Sequence, residues 1–170
     1  MRLIAVPLVL LLAGCLAGEP VKVASTFDAK AAEYIHKQGE GRIDGHAFFK
    51  KPNGYVMMAA GEPVWLIPAT PYAKERMAAL YKGRKFAPAG QIAGAEGTDP
   101  KYFDFTRRTK AESSGRFTFE KVAPGDYFLV TTITWKDNET DVFPRGGSVY
   151  EAVTVTGKED KAIKVIVNGL

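Results

Sequence analysis

In this 170-residue chain the residues with the most chemical reach are two imidazoles, one thiol and a short acidic run. The run Asp137-Asn138-Glu139-Thr140-Asp141 gathers hard oxygen donors of the kind Ca²⁺ takes. It has no glycine at the sixth position and no glutamate at the twelfth, so the EF-hand spacing is not met and a solvated hairpin loop is expected. Trp135 borders the run. Trp135, Asp137, Asn138 and Asp141 are therefore the candidate ligand contacts, an indole face for stacking beside polar groups for hydrogen bonds. His36 and His46 fall in separate segments, and no G-x-S-x-G elbow occurs, so no nucleophile–base pair is legible. The segment Pro68-Ala69-Thr70-Pro71-Tyr72, followed by Glu75-Arg76, brings a phenol, a carboxylate and a guanidinium near one another. Adjacent residues on a helix do not face each other, so capping and packing are the expected roles there. The reading expects no catalytic residue, no metal ligand and no cofactor.

The elements that would carry these residues are mostly strands. Asp28 caps a short helix expected over 28–40, with Gly39 as its stop. From residue 41 the period changes to two. Ile43, Gly45, Ala47 and Phe49 share one side of a first strand, and Lys50-Lys51-Pro52-Asn53-Gly54 turns into a second over 55–60. Val64–Pro68 alternates Val64 and Leu66 against Trp65 and Ile67. Thr70 then caps a helix with Pro71 at its first position, and Ala73, Met77, Leu80 and Tyr81 form its stripe. This helix, over 71–82, interrupts a β pattern, so it is expected to lie against the sheets and to cover Trp65, leaving Trp135 the more exposed indole. Residues 84–101 read as a long loop, and strands resume over 102–109, 116–119, 127–135, 149–156 and 162–167, with a polar loop at 136–148. The expected fold class is all-β, a prealbumin/Ig-like antiparallel β-sandwich with a short N-terminal helix and one inserted helix.

Composition narrows the function classes. The chain is 46% hydrophobic and carries 23 Lys+Arg against 19 Asp+Glu, which excludes a disordered polyelectrolyte. Its basic residues occur in small clusters such as Lys50-Lys51 and Arg107-Arg108-Lys110, solvated strand ends rather than a nucleic-acid footprint. One cysteine permits no internal disulfide.

That cysteine ends an apolar run. Met1-Arg2 is followed by Leu3–Leu12, too short to cross a bilayer as a helix, and then by Ala13-Gly14-Cys15. The string Leu12-Ala13-Gly14-Cys15 resembles the bacterial lipobox. The resemblance implies a signal peptide over 1–14, lipid attachment at Cys15, a lipidated tether over 15–27 and a domain held at a membrane by its acyl chains. Leu16 in place of aspartate implies delivery to the outer membrane, facing the periplasm.

Two segments resemble the carboxypeptidase regulatory-like domain, a prealbumin-like β-sandwich. One is Gly115-Arg116-Phe117-Thr118-Phe119, a spacer, then Pro124-Gly125-Asp126-Tyr127-Phe128-Leu129-Val130. The other is Ile43-x-Gly45-x-Ala47 with Gly61-x-Pro63-Val64-x-Leu66. The resemblance implies one such domain over 41–170 that accompanies other activities and is not itself a catalyst. Iron-dependent ring-cleaving relatives of this fold need two His and two Tyr, and the later strands here hold no histidine. The function expected is a non-catalytic binding or scaffolding module of the cell envelope, partnered with an envelope protein or a glycan. The first alternative is a carbohydrate or small-ligand binding protein with a concave site near Trp135 and the 84–101 loop. The second is a hydrolase or metal enzyme.

Overall fold

The computed structural model describes residues 23–89 and 98–170. Cys15, the signal segment and most of the tether lie outside the described residues, as does part of the 84–101 loop.

Two β-sheets pack face to face. In the first, β1 (Gln38–Lys50) is central. It pairs antiparallel with β6 (Arg116–Val122) and with β2 (Val56–Met58), and parallel with β9 (Ile163–Val167). The second sheet runs β4 (Phe86–Pro88), β8 (Arg145–Val155), β7 (Gly125–Trp135), β3 (Pro63–Pro68), β5 (Arg107–Lys110), all antiparallel. The fold is thus an all-β sandwich, with one parallel pair at β1 and β9 that the expected all-antiparallel pattern does not include.

The core follows from the period-two pattern. Leu66 pairs with Leu129, and Val64 with Thr131 and through it Val149, so these rows share the inner face. Ile43, Phe117, Phe119 and Val167 meet them from the other sheet, all nearly inaccessible to water. Each such side chain contributes about 1.5–3 kcal/mol by leaving water. Gly45 lies directly under the Phe117 ring, where any Cβ would overlap it. Glycine is required there because strand and ring approach too closely for a side chain.

The alternate row of the second sheet faces outward. Trp65 sits beside Val130 and Val130 beside Tyr150, with Ile67 and Phe128 one step along. A sheet apolar on both faces needs a second cover, and α2 (Pro71–Tyr81) supplies it, burying Tyr72, Ala73, Met77 and Tyr81. Thr70 caps α2 by accepting a hydrogen bond from the Ala73 N–H at 3.3 Å, and Lys82 leaves it in the left-handed region (φ 50°).

Besides β8, which starts at Arg145 inside the polar loop expected over 136–148, three elements differ from expectation. The helix expected over 28–40 is shorter: α1 (Ala29–Ala32) passes into a 3-10 segment, Glu33–His36, and β1 begins at Gln38. Gly39 is not a helix stop. It lies within the strand, where a Cβ would overlap the Val122 carbonyl of β6. Tyr102–Phe105 is not a strand but part of a 3-10 segment, Pro100–Phe105, because Asp99 accepts from the Lys101 N–H and Pro100 sets the first turn. Phe86–Pro88, within the expected loop, adds β4 at the sheet edge.

Candidate functional site

The expected contacts at the end of β7 are brought together, and the carboxylates among them are already engaged, while Trp135 Nε1 is buried with no hydrogen-bond partner among the described residues. Asp141 Oδ2 accepts from the backbone N–H groups of Asp137 (3.0 Å) and Asn138 (3.2 Å), folding the loop on itself. Asp137 accepts from Lys51 Nζ at 2.7 Å and pairs with Arg145 Nε at 3.1 Å. The Lys51 ammonium, above all, holds the Asp137 carboxyl below its usual range. Phe49 stacks on Trp135 with ring centroids 5.6 Å apart, and Lys51 Nζ lies 5.2 Å from the same indole. Trp135 is half-buried, so it is less open than expected. Asn138 is exposed and bonds only within its loop. Among the described residues no three His, Cys, Asp or Glu side chains converge as a metal site would require.

A wide polar cleft of about 740 Å³ opens beside β5 and β6, walled by Lys37, Arg42, Arg107, Arg108 and Lys121. Its arginines are largely occupied. Arg42 pairs with Asp44 and Glu120 at 2.9 Å each, Arg107 donates to the carbonyls of Glu120 and Lys121, and Arg108 lies over the Trp65 ring.

A smaller space, about 170 Å³, lies between α2 and the outer face of the second sheet. The sheet supplies Trp65, Ile67 and Val130. Helix α2 supplies Met77, Leu80 and Arg76, and the 3-10 segment supplies Tyr102. The walls are apolar and aromatic, with a few polar residues among them, the usual composition of a ligand site.

The polar atoms of those residues divide into two kinds. Tyr81 and Ser148 share a 2.7 Å hydrogen bond, and Ser148 Oγ in turn donates to the Thr131 carbonyl at 3.2 Å. That chain is complete, and burial pushes the Tyr81 hydroxyl up to about 12. Arg76 and Tyr102 are different. They are 6% and 3% exposed, yet Arg76 Nη1 and Tyr102 Oη are buried with no hydrogen-bond partner among the described residues. Burial pushes the Tyr102 hydroxyl upward too, so it stays a neutral donor. The Arg76 guanidinium lies 5.6 Å from the Tyr102 ring centroid, an attractive contact that leaves its N–H groups unfilled. Buried polar groups are nearly always paired, so two orphans on residues that line one cavity call for an explanation, and a ligand that reaches them is one.

Sequence reasoning set Arg76 aside as packing. A signal was present: Tyr72, Arg76 and Leu80 recur at i, i+4 and i+8, placing a cation on the stripe that runs beside Ala73 and Met77.

No family model and no curated protein matches the chain. Among solved structures, the fold is similar to a Pseudomonas aeruginosa protein proposed to bind carbohydrate. The TM-score is 0.70 and the identity 24%, over 86% of this chain and 99% of that one. At that identity the likeness speaks to the fold.

Proposed function

We infer that the chain is a non-catalytic binding protein whose ligand is a carbohydrate of the cell envelope, taken in the cavity under α2. The observation that carries this reading is the pair of buried, unfilled polar groups, Arg76 Nη1 and Tyr102 Oη, set in aromatic and apolar walls. Sugars suit such a site, since their C–H faces pack on aromatic rings while fixed donors take their hydroxyls. The likeness in fold to a protein proposed to bind carbohydrate supports the same reading. It favours ligand binding over pure scaffolding. Tethering through lipid at Cys15, with the domain held at the outer membrane facing the periplasm, belongs to the proposal and rests on the Leu12–Cys15 string.

Ala87 lines the cavity and is itself buried, so Ala87→Phe would plug the space. Titration calorimetry with envelope oligosaccharides, peptidoglycan fragments included, should show saturable binding to the wild type that Ala87→Phe abolishes. Equal binding by both proteins would move the site elsewhere, and binding by neither would remove the carbohydrate reading.

A further inference from the structure

Arg76 raises a question of charge as well as of hydrogen bonding. A guanidinium stays ionised at any pH a protein meets. Burying it is costly unless an opposite charge and acceptors replace the lost water. The adjacent Glu75 does not serve, because its carboxylate accepts from the backbone N–H groups of Ala24 and Ser25 and from the Ser25 hydroxyl. None of the ion pairs among the described residues includes Arg76. The phenols beside it stay neutral, since burial raises both Tyr81 and Tyr102. Among the described residues nothing opposes the Arg76 charge, and the cavity wall carries a planar donor fork, a phenol donor and an aromatic face.

We propose that the ligand is an acidic sugar of the uronate type, its carboxylate seated on the Arg76 guanidinium and its ring face on Trp65. This deepens the carbohydrate reading above and rests on it. A carboxylate carries one charge, which one guanidinium balances, and its two oxygens match the fork. A phosphate monoester carries nearly two and would leave an excess in an apolar space. About 170 Å³ is below the range for drug-sized ligands and suits a single ring. Tyr102 Oη donates to a ring hydroxyl.

The test uses matched probes on the full chain: D-glucuronate against D-glucose, and D-galacturonate against D-galactose, by titration calorimetry. In the wild type the acid should bind about tenfold to a hundredfold more tightly than its neutral counterpart, the range for a hydrogen bond to a charged group. Arg76→Gln should bring the ratio near one, and Arg76→Lys should keep part of it. Because Arg76→Gln removes an unbalanced buried charge, its Tm should hold or rise. Equal binding of acid and neutral sugar by the wild type would overturn the carboxylate assignment and leave the carbohydrate reading standing. An acid preference that persists in Arg76→Gln, or a fall in the Tm of that variant, would overturn the role of Arg76. Failure of all four sugars to bind the wild type would overturn both.

Discussion

The α2 cavity and the 136–144 loop treat their charged groups in opposite ways. In the loop every carboxylate with a partner finds it nearby: Asp141 on two backbone N–H groups, Asp137 on Lys51 and Arg145. What the loop leaves in water includes Val142 and Phe143, each 80% exposed, and the one orphan beside it, Trp135 Nε1, is neutral. In the cavity the apolar groups are satisfied and the polar ones are left over. A polar surplus in a dry space has few structural explanations, because each orphan costs about 1–3 kcal/mol and charged ones more. An apolar surplus on a loop in water is ordinary. The difference teaches that the informative region is the one whose unfilled groups are expensive, not the one with the more conspicuous aromatics.

The largest effect that would sharpen this contrast comes from the cavity wall. Met77→Ala removes a side chain 5% exposed between helix and sheet, and urea unfolding should register a loss of about 2–5 kcal/mol. A loss below about 1 kcal/mol would mean that α2 is loosely held and that the cavity is not a formed site.

How much of this was legible in the sequence depends on which physical rule was at work. Phe117 and Phe119, then Tyr127 and Leu129, announce two strands facing one core because period two survives translation into structure. Thr70-Pro71 announces α2, since a cap and a preset φ act locally. Phe103 and Phe105 mislead because the same alternation runs through a 3-10 segment, where Asp99 and Pro100 decide the backbone. Phe86–Pro88 becomes a strand only because the edge of β8 is there to pair with it. The cavity is a property of two layers in contact, and no local pattern encodes it. Arg76 was visible as a cation on an apolar stripe, but such residues often extend to water along their methylenes, and only the packed structure shows that this one does not.

Acid should separate the two regions at an intermediate scale. The Asp137 carboxyl is held below its unfolded value by Lys51, so its contribution is present above the ordinary carboxylate range and fades as pH falls through the lowered one. Hydrogen-exchange protection, corrected for the intrinsic slowing of exchange in acid, should therefore fall on acidification at the backbone amides of Asp137 and Asn138, which sit in the loop that the Lys51–Asp137 pair holds. The amides of α2 should keep their protection over the same range, since its Glu75 carboxylate bonds the 24–25 segment rather than the α2 backbone, and no carboxylate among the described residues lines the cavity. Parallel loss in both regions would break the comparison.

The smallest effect is expected at the loop tip. Phe143→Ser should leave stability within about 0.5 kcal/mol and sugar affinity unchanged. A clear loss of binding would return the site to the end of the molecule that holds Trp135.

The claim that the ligand enters beneath α2 is tested most directly by methyl-resolved NMR during titration with the best-binding sugar, because one spectrum reports both regions. The Met77, Leu80 and Val130 methyls line the cavity, and Val142 stands in the loop. The account predicts saturable shifts at Met77, Leu80 and Val130 with Val142 unmoved. Shifts confined to Val142, with the cavity methyls silent, would contradict it.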